Sequence, residues 1–217
     1  MTMTFPDFGP MTIAPLVPLL PLLGAIVVAV GGRPWLRGYS HWPIILGIAG
    51  SLLVCGRMWG AIIEMPHSAY QTSYILYDWI SAVHGVWFRV GLYIDPLTIV
   101  MLLTVCIVSL LVVIYSCDYM RVHGHPERGY ERFFAFIGLF LFSMCTLVLA
   151  GNFLLLYLGW EMVGLCSYLL IGFYYGRPQA AAAAKKAFLV NRIGDFGFLL
   201  GILFIYLWTS PLAAPGE

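Results

Sequence analysis

Long apolar runs, broken by short polar turns, organise this chain. Six stand out, at residues 11–30, 42–63, 96–115, 133–150, 152–173 and 186–208. Each is on the order of 20 residues, the length an α-helix needs at ~1.5 Å per residue to cross a ~30 Å hydrocarbon core. The pattern predicts an all-α polytopic membrane protein with about six transmembrane helices in a single membrane domain, residues 1–217. The first run carries Pro15, Pro18 and Pro21, which membrane helices tolerate better than soluble ones. Between the second and third runs lies a polar-aromatic segment with Tyr70, Tyr74, Tyr77, Trp79, Trp87, Phe88 and Tyr93. Alternation through Val86–Ile94 points to an interfacial loop with one or two short strands, a hairpin at most; an amphipathic surface helix is the alternative. Asp95-Pro96 reads as a helix N-cap followed by proline at the first helical position. The last residues, Thr209 to Glu217, read as a loop, so the chain is expected to be a fragment of a longer subunit.

Composition sharpens this picture. The chain has 217 residues, 61% of them hydrophobic and 10% charged, which is no soluble domain. Aromatics at 16% suit interfacial belts. A net charge of +1 leaves no polybasic surface and no argument for nucleic acid. Cys55, Cys106, Cys117, Cys145 and Cys166 form no CxxC pair and read as small buried hydrophobes. No GxGxxG or Walker pattern is present. The first ten residues carry no Lys or Arg, so the first run reads as a retained helix and not as a cleaved secretory signal. Of eleven basic residues, Arg33, Arg37, Arg121, Arg128, Arg132, Arg177, Lys185 and Lys186 fall in or beside the loops that follow runs one, three and five. Arg89 alone lies on the opposite side. By the positive-inside rule the three basic loops are inside and both termini outside.

A few polar residues fall inside the apolar runs. Glu161 lies ~14 Å along a helix counted from Asn152, near mid-membrane. A carboxylate there costs on the order of 3 kcal/mol unless it faces protein or water or takes up a proton. Its obvious use is to hold and release a proton. Helical spacing puts Tyr157, Glu161, Gly164 and Tyr168 on one stripe, where two phenols and a gap would suit a hydrated pocket; a helix seam with Glu161 in a fixed ion pair is the bland alternative. In the sixth run Arg192 and Asp195 are spaced i,i+3 and can pair on one face, as a titratable relay or as a structural clasp. Lys186 lies nearer the inner interface, a relay lysine or a snorkelling one. Arg57 is close enough to its helix end to snorkel. His123-Gly124-His125 has no third ligand and is weak as a metal site.

Gly159-Trp-Glu161-Met-Val-Gly-Leu-Cys-Ser-Tyr-Leu-Leu-Ile-Gly-Phe-Tyr-Tyr175, then Lys186-Ala-Phe-Leu-Val-Asn-Arg192-Ile-Gly-Asp195, with Asp95-Pro-Leu-Thr98 and Tyr115-Ser-Cys-Asp-Tyr-Met120, resemble a known family. They are similar to the N-terminal part of the large antiporter-like subunit of respiratory complex I, subunit L in bacteria and subunit 5 in mitochondria. The resemblance implies the N-terminal half of an antiporter-like helix bundle. It also implies a proton-translocating membrane-arm subunit of NADH:quinone oxidoreductase, driven by quinone reduction elsewhere in the complex. Glu161 matches the family's titratable fifth-helix glutamate; Lys186, Arg192 and Asp195 match its sixth-helix ions. NADH, FMN, iron–sulfur clusters and quinone then belong to other subunits, and this chain holds no cofactor or metal. Expected partners are the neighbouring antiporter-like membrane subunits and the lipid bilayer. The expected location is an energy-transducing membrane, the bacterial inner membrane or the mitochondrial one. Family members continue for several hundred residues, through a broken helix whose lysine partners the glutamate. A Mrp-type cation/proton antiporter subunit and a non-transporting structural fragment are the alternatives.

Overall fold

The computed structural model describes residues 10–64, 72–81, 87–122 and 125–209. His67, His84, His123 and the stretch 210–217 lie outside the described residues. The helices are α1 Leu16–Gly31, α2 His41–Glu64, α3 Pro96–Tyr119, α4 Tyr130–Val148, α5 Phe153–Ile171 and α6 Pro178–Thr209. All six, α1 counted with the short helical turn before it, are long and apolar enough to cross a membrane.

The prolines of α1 show how the chain keeps a helix where the sequence resists one. Pro18 falls in the first turn, where its missing N–H has no intrahelical partner to lose. Pro21 is interior and strands the carbonyl of Val17, four residues earlier. In lipid that carbonyl finds no water. The Ser51 hydroxyl on α2 donates to it at 2.7 Å. Close approach makes this possible: a Cβ on Gly47 would lie 2.8 Å from the Leu20 carbonyl oxygen, and one on Gly24 would lie 2.8 Å from that of Pro43. Small residues at a helix crossing let backbones touch, which is how membrane helices gain packing energy without hydrophobic drive.

Helix α1 packs between α2 and α4, α3 packs on α2 and α4, and α5 bridges α4 to α6. The core sits among the first four helices, with Val17, Ile44, Ile48, Met58, Leu102, Phe134 and Leu141 fully buried. At the basic end, Tyr130 and His41 share a 3.0 Å hydrogen bond between the first turns of α4 and α2. Tyr174, in the α5–α6 turn, donates to Glu127 of the α3–α4 turn at 2.7 Å. The basic turns are thereby tied together at one end of the bundle.

At the other end stands the hairpin. β1 (Thr72–Ser81) pairs antiparallel with β2 (Trp87–Ile94), from Thr72 opposite Ile94 to Ser81 opposite Trp87, with two register irregularities. It replaces the surface-helix alternative. A helix would leave the turn between α4 and α5 without its partner. As a strand, β2 offers that turn a free edge: Tyr93 N–H donates to Leu149 at 3.0 Å and Gly151 N–H to Gly91 at 2.9 Å. Two short further strands, β3 (Arg121–Val122) and β4 (His125–Pro126), pair in the α3–α4 turn.

Several helix ends differ from the sequence expectation. α6 starts at Pro178, eight residues before 186. Five alanines at 180–184 are the strongest helix formers, and proline fits the first helical position. Lys185 and Lys186 therefore lie well inside the helix. α4 begins at Tyr130 rather than 133, anchored by the bond to His41. It stops at Val148 rather than 150, because Leu149–Gly151 is taken by β2. α3 runs on to Tyr119, where Tyr115 and Tyr119 stack at 6.0 Å.

Candidate functional site

α5 and α6 meet at mid-membrane. Asn152 caps α5, its side chain accepting from Leu155 N–H at 2.8 Å, and the helix then carries Trp160 and Glu161 about 12–14 Å inward. α6 spans 32 residues, so Arg192 and Asp195 fall near its midpoint. The Arg192 guanidinium bridges the two helices: Nη1 pairs with Glu161 Oε2, and Nη2 lies 3.2 Å from Asp195 Oδ2 within α6. Asp195 is almost fully buried, at 4% exposure. The Glu161 and Arg192 side chains keep 22% and 30%.

The gap at Gly164 is occupied by a side chain of α6. A Cβ there would lie 2.8 Å from Arg192 Nη2, so glycine makes room for the guanidinium. Tyr157 and Tyr168 do face α6 but do not bond Glu161. Tyr157 rests on Phe198 at 5.9 Å between ring centroids, and Tyr168 on Phe188 at 5.2 Å. The Phe188 ring also lies under the guanidinium, 4.8 Å from its carbon, so an aromatic floor holds the cation in place.

Lys186 stands apart. Six residues before Arg192 it lies ~9 Å nearer the basic end and is rotated by roughly 120°; its side chain is exposed. Lys185 shares the Arg192 stripe and lines a cavity of about 360 Å³ with Arg132, Tyr168 and Tyr175. Arg57 is exposed on α2, away from this site. No cluster of three or more His, Cys, Asp or Glu suited to a metal occurs among the described residues.

Sequence reasoning missed Trp160. Its indole N–H donates to Asp195 Oδ1 at 2.7 Å, and its ring meets Phe198 edge-on at 5.9 Å. The signal was available: a tryptophan at mid-membrane, away from the interfacial belt, still needs an acceptor for its N–H.

Chemically, the site holds one permanent cation between two carboxylates. Arginine does not lose its proton in proteins. With both carboxylates ionised the cluster carries −1; with one proton it is neutral. Low dielectric penalises the net charge, so a site of this composition is suited to binding one proton.

Two family models match the chain. "NADH-Ubiquinone oxidoreductase (complex I), chain 5 N-terminus" covers residues 79–134, and "NADH:quinone oxidoreductase/Mrp antiporter, TM" covers 150–215. The NADH-quinone oxidoreductase subunit L of Neisseria meningitidis serogroup B is 43% identical over 88% of this chain. The chloroplast NAD(P)H-quinone oxidoreductase subunit 5 of Mesostigma viride is 42% identical over 90%. The chain spans 28% and 29% of the length of these two relatives. Among solved structures, the Mrp complex of Dietzia matches with a TM-score of 0.72 at 25% identity, over 91% of this chain and 20% of that one. An archaeal membrane-bound sulfane sulfur reductase shares the fold, with a TM-score of 0.69 at 20% identity over 90% of this chain and 28% of that one. The chain belongs to the family of membrane subunits that includes NADH-quinone oxidoreductase subunit L and its subunit 5 relatives.

Proposed function

We propose that this chain is the proton-handling N-terminal part of a translocating membrane subunit of NADH:quinone oxidoreductase, with Glu161 as the group that takes up and releases the proton. The observation that carries the reading is the three-member ion cluster Glu161–Arg192–Asp195 at mid-membrane. Moving one charge across 100 mV is worth about 2.3 kcal/mol. Changing the partner of a buried carboxyl by about two pKa units is worth ~2.7 kcal/mol, so a shift in how Arg192 is shared is of the right size to gate transfer. Lys186 is the next ionisable group along α6 toward the basic end, outside the Arg192 stripe. Tyr157 and Tyr168 support the site by packing against the aromatic residues of α6. Redox chemistry, with NADH, FMN, iron–sulfur clusters and quinone, falls to other subunits. The neighbours are antiporter-like membrane subunits in an energy-transducing membrane, bacterial or organellar.

Replacing Glu161 by Gln in the complete complex tests this. Proton translocation driven by NADH is expected to fall sharply, while NADH oxidation by an artificial acceptor continues. Translocation at the normal rate would overturn the assignment and leave the chain a structural piece. The likeness to the Mrp complex favours one second reading, a cation/proton antiporter subunit. Loss of sodium-dependent exchange in the same variant, with NADH oxidation untouched, would select it.

A further inference from the structure

We propose that Trp160 is a positioning residue for proton transfer: its indole N–H holds Asp195 so that Arg192 stays with Glu161. This rests on the reading of Glu161 above. Three observations converge on it. Trp160 Nε1 donates to Asp195 Oδ1 at 2.7 Å, across 35 residues of chain. Arg192 Nη1 is paired with Glu161. Arg192 Nη2 and Asp195 Oδ2 are both buried and lack a hydrogen bond, although they lie 3.2 Å apart. The two groups are thus ion-paired without the alignment of a hydrogen bond, and Arg192 Nε has no hydrogen-bond partner either.

A half-buried cation that is paired with a buried carboxylate but not aligned to it has a second resting place, in full hydrogen bonding to Asp195. What keeps Arg192 from it is the supply of donors to Asp195. With the indole on Oδ1, Asp195 is already oriented and partly satisfied, and Glu161 retains Nη1. When Glu161 takes a proton its hold on the cation drops, and Nη2 needs to move only slightly to close on Oδ2. α5 thus contributes both competing contacts from adjacent residues, the carboxylate of Glu161 and the N–H of Trp160. The other groups facing the cluster do not compete. α4 meets α5 here through Leu147 and Ser143, and its two charges, Glu131 and Arg132, lie in its first turn. On α6, Lys185 shares the Arg192 stripe but sits two turns toward the basic end, exposed and lining the cavity with Arg132 and Tyr175, and Lys186 is exposed and points off the stripe. Tyr157 and Tyr168 pack on phenylalanines.

The test uses the complete complex with Trp160→Phe, which keeps the ring and removes the donor, and Trp160→His, which keeps a ring N–H. In the Phe variant Asp195 draws Arg192 away from Glu161. The pH profile of NADH-driven translocation is then expected to move by roughly one unit toward alkaline pH, with translocation at the new optimum reduced severalfold. The His variant is expected to reverse most of that shift. Identical profiles for Phe, His and wild type overturn the proposal, as does a uniform loss at every pH or failure of both variants to assemble, since these mark a purely structural tryptophan. The two readings fail separately. If Glu161→Gln abolishes translocation while Trp160→Phe leaves the profile unmoved, the positioning role is wrong and Glu161 stands.

Discussion

Removing the cation from the cluster is the perturbation with the largest expected effect on stability. Arg192→Gln leaves Glu161 and the nearly buried Asp195 without a counter-charge. Breaking a buried ion pair by deleting one partner costs about 3–5 kcal/mol. The lower end applies here, because the Glu161 and Arg192 side chains retain 22% and 30% exposure. A loss of about 3 kcal/mol is therefore expected, read by equilibrium denaturant unfolding of the full-length subunit in detergent. Adding Asp195→Asn to Arg192→Gln removes one of the two uncompensated charges while the amide oxygen still accepts from Trp160. The double variant is expected to recover to within about 1 kcal/mol of wild type. An Arg192→Gln loss below 1 kcal/mol, or a loss that Asp195→Asn does not relieve, would refute the electrostatic account of the site.

Two other predictions concern the scaffold. Ser51→Ala strands the Val17 carbonyl that Pro21 leaves without a helical donor, and a loss of about 1 kcal/mol is expected in the same unfolding assay; Ser51→Ala paired with Pro21→Ala should show a much smaller one. At the basic end, Tyr174 has its phenol pushed up to about 12, first by burial and then by donating to the Glu127 carboxylate. A raised folded-state value means that this tie is fully present below pH ~10 and is lost as pH rises through the folded value. The ultraviolet difference titration of wild type against Tyr174→Phe should therefore show a phenol ionising later than the others, and an ordinary value of ~10 would contradict the contact.

The six membrane helices were legible in the chain because a helix that crosses lipid needs only its own backbone bonds and an apolar surface. Both are properties of a continuous stretch of ~20 residues. The i,i+3 spacing of Arg192 and Asp195 was legible for the same reason, being fixed by one helix alone. Helix ends were less so. The polyalanine stretch before Lys185 carries no apolar contrast, so its helical state escaped a reading based on hydropathy, although propensity favours it. The choice between hairpin and surface helix in residues 65–95 depended on the α4–α5 turn, which lies more than fifty residues further along the chain.

The amino-acid sequence by itself determined that this protein lives in a membrane, that its basic turns share one side, and which few polar residues stand inside the apolar runs. It placed Glu161 on one helix and Arg192 with Asp195 on the next. Only the tertiary structure decided that Arg192 fills the notch at Gly164 to reach Glu161, that Trp160 holds Asp195, and that Lys186 stands outside the cluster. The division has a physical cause. Burial in lipid and spacing along one helix are local and repeat with the chain, whereas a contact between helices depends on crossing point, depth and rotation, which are set by packing of side chains far apart in sequence.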